Sequence, residues 1–380
     1  MRAYFDHNAT TPLDERVLDA MLPYLKGEFG NASSRHDAGT RAREAVNKAR
    51  AQVAALVKVQ ASQVVFTSGG SEANNLFVRG ASASLKPAQF ALSAIEHPCV
   101  MKPAQDLARA GWQVRKLKVD RHGVIDLSDV AAALGQPTAL LSVMLANNET
   151  GVIQPVAEVA ALAREAGAWM HSDAVQALGK IPVNFETLGL HAMTVSAHKL
   201  NGPKGAGALI IDKRLPLKPL VHGGGHEGGL RSGTENVPAI VGFGAACEIA
   251  AARLAEFDRH TRALRDRLDR ALLSLGAVIF GRGAERVPNT SYFAIEHIDG
   301  ETLVIELNKA GFAVASGAAC SSTSTEPSAT LLAMGVEEDV ARGAVRVSLG
   351  AGNTAEQVDA FVAALKAVIE RLRTLTAMAV

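Results

Sequence analysis

Apolar residues alternate between two spacings along most of this chain. Compact strand-sized runs stand at 64–67, 90–95, 140–145, 169–173, 192–197 and 208–211. Between them lie longer stretches with apolar positions three and four apart, at 40–56, 72–80 and 156–166. The first spacing predicts buried strands and the second amphipathic helices. Strands alternating with helices predict a mostly parallel sheet covered on both faces, with sites where strands end and loops begin. After a glycine-rich passage at 222–233 the pattern changes. Two long helices are expected at 238–257 and 261–275. Strands at 291–295, 312–315 and 344–349 then mix with helices at 300–310 and 354–375, which predicts a smaller α+β domain. No short repeat and no low-complexity tract interrupts the pattern.

Composition narrows the class. The 380 residues are 48% hydrophobic and 20% charged, enough for a large packed core and comfortable for two domains. Thirty-nine basic residues against 38 acidic ones leave +1, so no nucleic-acid partner is expected. Strand-sized apolar runs predict no membrane span, and the opening residues lack an apolar signal region, which points to the cytoplasm. Cys99, Cys247 and Cys320 form no C-x-x-C pair, which argues against a disulfide framework or a four-ligand zinc site.

Polar residues stand at several of the predicted strand ends. Lys199 and His198 lie between the runs 192–197 and 208–211, which predicts an exposed hairpin tip rich in glycine. A lysine on a rigid strand end suits a Schiff base with an aldehyde cofactor, and a solvated loop lysine is the plain alternative. Asp173 closes the run 169–173, with Gln176 just beyond. Its carboxylate suits the ring nitrogen of a pyridine cofactor, or equally a helix N-cap. The turn Ser68–Gly69–Gly70–Ser71–Glu72 opens a helix, suited to a phosphate or to ordinary capping. No G-K-[ST] follows, which excludes a nucleotide P-loop. His97 and Asn148 stand at two more strand ends. Arg346 interrupts an apolar strand and suits a carboxylate ligand or a surface salt bridge. Cys320 lies among small polar residues, a setting for an accessible thiol on a mobile loop. Cys247 is expected to be buried and inert, and Cys99 to be a small core residue.

Taken together, F-D-H-N-A-T-T-P, T-S-G-G-S-E-A-N-N, E-H-P-C-V, N-N-E-T-G, H-S-D-A-V-Q, S-A-H-K-L-N-G-P-K-G, S-G-A-A-C-S-S-T-S-T-E-P-S and V-R-V-S-L-G cover nearly the whole chain. This ordered set resembles the cysteine desulfurases, pyridoxal-phosphate enzymes of the class V aminotransferase group. The cysteine motif is similar to that of the subgroup with a long mobile loop. The resemblance implies the α/β architecture of a fold-type I pyridoxal-phosphate enzyme. A large cofactor domain would span 15–257, and 1–14 with 258–380 would form a small domain carrying the Cys320 loop.

The same resemblance implies roles for the residues. Lys199 would hold the cofactor and move the substrate α-proton, Asp173 would pair with the ring nitrogen, and Gln176 would bond the ring hydroxyl. His97 would stack on the ring and assist proton transfer, with Asn148 beside it. Gly70, Ser71, Ser196 and His198 would bind the phosphate, joined by Thr234 from the second subunit of a homodimer. Arg346, with Asn148, would receive the carboxylate of L-cysteine, and Cys320 would accept its sulfur. Cluster-assembly scaffolds are the implied recipients. No resident metal is implied, and Cys320 stays open as a transient shared ligand of an iron–sulfur cluster. A selenocysteine lyase or a transaminase on the same scaffold, and a non-enzymatic sulfur carrier, are the competing expectations. Ser71 stands where many relatives have threonine, which keeps the hydroxyl.

Overall fold

The computed structural model describes residues 3–316 and 326–378. A short strand, β1 (Ala3–Tyr4), precedes the helices α1 (Glu15–Lys26) and α2 (Asp37–Val57). The chain then winds through β2 (Val64–Thr67), α3 (Gly70–Ser82), β3 (Gln89–Ser93), α4 (Pro98–Leu107) and β4 (Gln113–Leu117). It continues with α5 (Leu127–Leu134), β5 (Thr138–Ser142), α6 (Val156–Glu165), β6 (Trp169–Asp173), β7 (Ala192–Ser196) and β8 (Gly207–Ile211). Strands β2 to β8 form one sheet in the order β2-β8-β7-β6-β5-β3-β4. Only β8 runs against its neighbours, because the hairpin from β7 returns it beside β2. The other neighbours are parallel, as helical crossovers require.

Both faces of the sheet are covered. One carries Val53, Val159 and Phe243 from α2, α6 and a later helix; the other carries Leu76 and Phe77 of α3 and Ala104 of α4. Buried on two sides, the central strands read as continuous apolar runs, which is why their positions show in the sequence. Strand β4 did not show. It lies at the sheet edge with mixed exposure, and its residues Gln113, Arg115 and Lys116 carry no apolar period.

The second half departs from the expectation at one point. The two helices expected at 238–257 and 261–275 are a single helix, α7 (Val237–Ser274). No proline or glycine stands at the expected break. The Thr261 hydroxyl folds back 2.7 Å onto the Phe257 carbonyl, and Arg262 reaches Asp258 one turn away. The boundary between 257 and 258 therefore falls inside a continuous helix. Its first half packs Phe243, Cys247 and Ala250 under the large sheet, and its second half packs Leu264, Leu268 and Leu272 under the smaller one. Part of α7 is also apolar over a span long enough for a bilayer, which strand-sized runs had not suggested. Half of that span is buried inside the fold.

The smaller sheet has the order β12-β13-β10-β9, from Ala315–Ser316, Ala344–Ser348, Thr290–Ala294 and Val278–Ile279. The strand expected at 312–315 divides at Val314 into β11 (Phe312–Ala313) and β12. Strand β1 pairs with β11 in parallel, so the chain's first residues join this half. Helix α8 (Gly300–Lys309) and the C-terminal helix Ala355–Met378 cover it through Leu303, Phe361 and Leu365.

Candidate active site

The carboxyl ends of β3, β5, β6 and β7 open on a cavity of about 440 Å³ closed from the other side by Arg346 of β13. Asp173, the last residue of β6, is 6% exposed and faces it. Its Oδ1 accepts the N–H of Val175 at 2.9 Å, a local cap, and its Oδ2 accepts Asn74 Nδ2 of α3 at 2.7 Å. Both alternatives for this aspartate thus hold in part: it caps a turn and still presents a carboxylate to the cavity.

Lys199 does not stand on an exposed tip. The turn Ala197–Lys199 is covered by the N-terminal segment, where Thr11 donates its hydroxyl to the His198 carbonyl at 2.8 Å. Asn201 in turn donates its side-chain amide to Pro12. The half-buried Lys199 amine turns inward and donates to the carbonyls of Asn8 at 2.5 Å and Ala9 at 2.7 Å. His198 lines the cavity beside it. Burial, then the charges of Lys199 and Lys204, hold its imidazole down to about 4, so it is neutral near pH 7.

A phosphate fits at the start of α3. Gly70 and Ser71 start α3 there, with free helix N–H groups pointing at the cavity. Strand β8 approaches this turn so closely that a Cβ on Gly207 would lie 2.6 Å from the Gly69 carbonyl carbon. The Ser196 hydroxyl lines the cavity close to Gly70, fully buried and without a hydrogen-bond partner within the protein. A buried orphan hydroxyl is costly unless a ligand satisfies it. The residues present fit pyridoxal phosphate: a carboxylate for its ring nitrogen, an amine for its aldehyde and donors for its phosphate.

Gln176 is held at both ends. Its Nε2 donates to the Asn8 carbonyl at 2.9 Å, and its Oε1 accepts the Lys180 amine at 2.7 Å. Lys180 is buried and also donates to Asn8 Oδ1 at 2.7 Å; burial, then Lys199 and Arg346, push its proton affinity well down. The Lys180 amine thus engages the oxygen of Gln176, so the amide N–H is the group that would reach a ring hydroxyl. Arg346 is not at the surface. It is 6% exposed, paired with Asp6 at 2.8 Å and bonded to the Asn148 carbonyl at 3.0 Å. Its Nε is buried without a partner, as suits a guanidinium that awaits another anion. Asn148 lines the cavity next to it.

His97 stands before α4 and lines the same cavity. Burial lowers its proton affinity first; Asp173 opposes that and Lys199 adds to it. Cys99 corrects the sequence reading. It is half-buried against the cavity, not a core residue, because α4 begins at Pro98 and its first turn faces the site. Cys247 is buried in α7, and burial pushes its thiol far up. Thr234 is not brought to this cavity within the chain; it lines a smaller one with Thr67, Ser68 and Gly205. Cys320 and its neighbours from 317 to 325 lie outside the described residues. Among the described residues no group of His, Cys, Asp and Glu side chains is arranged to hold a metal.

Two asparagines went unassigned in the sequence. Asn8 joins Lys199, Gln176 and Lys180 to Thr290 of the small sheet, and Asn74 steadies Asp173. Their motifs, F-D-H-N-A-T-T-P and S-E-A-N-N, were visible, but nothing in a sequence shows which strand end a distant amide reaches.

The model of the family described as aminotransferase class V matches residues 3–361. The chain belongs to the class V aminotransferases. Within the family it is 41% identical over 376 residues to a protein of Trichormus variabilis named cysteine desulfurase 2, covering 98% of this chain and 94% of that one. A solved structure described as a NifS-like protein superposes with a TM-score of 0.92 at 38% identity, covering 97% of this chain and 100% of the other. Another, SspA in complex with cysteine, gives 0.81 at 30% identity, covering 91% and 98%. These class V relatives extend over both halves of the fold, the shared helix α7 included.

Proposed function

We propose that this class V enzyme is a pyridoxal-phosphate-dependent cysteine desulfurase, converting L-cysteine to L-alanine and leaving the sulfur as a persulfide on Cys320. The observation that carries the cofactor is the buried, partnerless Ser196 hydroxyl in one cavity with Asp173 and Lys199. The substrate reading is supported by full-length likeness to a cysteine desulfurase and by a relative solved with cysteine.

Pyridoxal phosphate, when bound, would supply a protonated, electron-withdrawing ring that draws charge from the substrate α-carbon. Asp173 would hold the proton on the ring nitrogen, with Asn74 keeping its carboxylate aimed. Gln176 would donate to the ring hydroxyl. Ser196, Ser71 and the amides at the start of α3 would hold the phosphate, joined by Thr234 of a second copy in a homodimer. Arg346 binds the substrate carboxylate. The Lys199 amine takes the α-proton, and neutral His97 assists proton transfer. Cys320 reacts as the thiolate with the substrate sulfur. A new Sγ–S bond forms as the Cβ–S bond breaks, and the electron pair of the broken bond stays with carbon, which takes up a proton to become alanine. No outside oxidant or reductant is needed for this step, because the carbon keeps the electron pair that the two sulfurs give up in forming the S–S bond. A cytoplasmic acceptor, such as a scaffold for iron–sulfur assembly, then receives it.

The test is incubation of the holoenzyme with L-cysteine and a thiol reductant. Alanine and sulfide in equal amounts are expected. Alanine without released sulfur, or pyruvate in place of alanine, would exclude the assignment.

A further inference from the structure

His97 is the N-cap of α4, and its Nδ1 accepts the backbone N–H of Cys99 at 3.2 Å. A ring nitrogen that accepts this bond carries no proton, so the neutral imidazole holds its proton on Nε2. The Cys99 sulfur lies 2.8 Å from the same Nδ1. On its other side the sulfur meets Asn74 Nδ2 at 3.0 Å, the amide group that also donates to Asp173 Oδ2 at 2.7 Å. The reverse orientation of Asn74 would set its oxygen against a carboxylate, so the amide nitrogen faces both partners. Sulfur therefore accepts from Asn74, as it does from the Ser71 hydroxyl, and its one S–H is left for Nδ1.

We propose that Cys99 is a positioning residue: its thiol donates to His97 Nδ1 beside the backbone N–H that sets the Nε2–H tautomer, steadies Nδ1 as an acceptor and ties the ring to Asp173 through Asn74. The chain Asp173, Asn74, Cys99, His97 connects the group that holds the ring nitrogen to the group that works above the ring. Other charges facing His97 are Asp173, which favours its protonation, and Lys199, which opposes it. Burial, then the charge of Asp173, lifts the Cys99 thiol to about 12, with Glu96 adding to the effect. Cys99 is thus a neutral donor inside the cavity and not a second nucleophile.

The proposal rests on the desulfurase reading only for the task of His97, since the tautomer is observable without turnover. NMR of the holoenzyme with isotope-labelled histidine nitrogens reads it directly, the His97 signals being assigned by their loss in His97→Asn. Wild type is expected to carry the proton on Nε2 across neutral pH. Cys99→Ala should raise the titration point of His97 by about one pH unit, the effect of losing one hydrogen bond to the neutral form. Cys99→Ser, which keeps a donor, should titrate as wild type does. A proton on Nδ1 in wild type overturns the proposal, as does Cys99→Ala titrating like wild type. Should Cys99→Ala fail to hold the cofactor, Cys99→Val, which keeps the volume and removes the donor, gives the same readout, and a His97 titration point unchanged from wild type overturns the proposal. Loss of alanine formation with the expected tautomer intact would count against the desulfurase reading alone.

Discussion

Glu96 offers a sharp test of the electrostatics beneath the cofactor site. It is 7% exposed, its Oε1 accepts the Met144 N–H at 2.5 Å, and its Oε2 has no partner. Burial first, and then the charge of Asp173, raise its carboxyl from 4.5 to about 8. The folded protein keeps this proton through a range in which the unfolded chain releases it. Glu96 therefore lowers stability progressively as pH rises from 4.5 to about 8. One pH unit corresponds to ~1.36 kcal/mol, so between about pH 5 and 7.5 the loss grows by ~3 kcal/mol. Glu96→Gln does not titrate and keeps an oxygen for Met144. Urea unfolding of both proteins at matched cofactor saturation should show the gap opening in favour of the variant by about that amount as pH rises. Parallel stability curves across the range would refute the reasoning, and a gap opening in favour of wild type would reverse its sign.

Two further substitutions probe the walls of the cavity. Arg346→Lys keeps a charge for Asp6 but loses the planar fork, so KM for L-cysteine should rise by about tenfold or more while the cofactor absorbance stays; an unchanged KM would remove Arg346 from substrate binding. Lys180→Met leaves Gln176 Oε1 without its partner and frees the amide to turn, which should weaken pyridoxal-phosphate binding by about tenfold in titrations of the apoenzyme. Equal affinity would mean that Lys180 does not orient Gln176.

The parallel sheet was legible because strands buried on two faces must be apolar throughout, and the strand-end position of Asp173 followed from it, whereas His97 and Asn148 stand beyond the ends of β3 and β5, in the loops that follow them. Lys199 was legible as a residue but not as an environment: the cover over it comes from Asn8, Ala9 and Thr11, nearly two hundred positions away. The edge strand β4 carries charges that mask its period. Helix α7 was read as two because its apolar face changes partner midway, from the large sheet to the small one. Cys99 was misread because small thiols are common in cores, and only the direction of α4 turns this one toward the cavity.

The central claim is that sulfur leaves L-cysteine for Cys320. Intact-mass and peptide analysis of the holoenzyme after L-cysteine, without reductant, tests it directly. One added sulfur atom located on Cys320 is predicted, together with alanine, and Cys320→Ala should give neither while keeping its cofactor absorbance. Undiminished alanine from Cys320→Ala, or the added sulfur on Cys99, would contradict it.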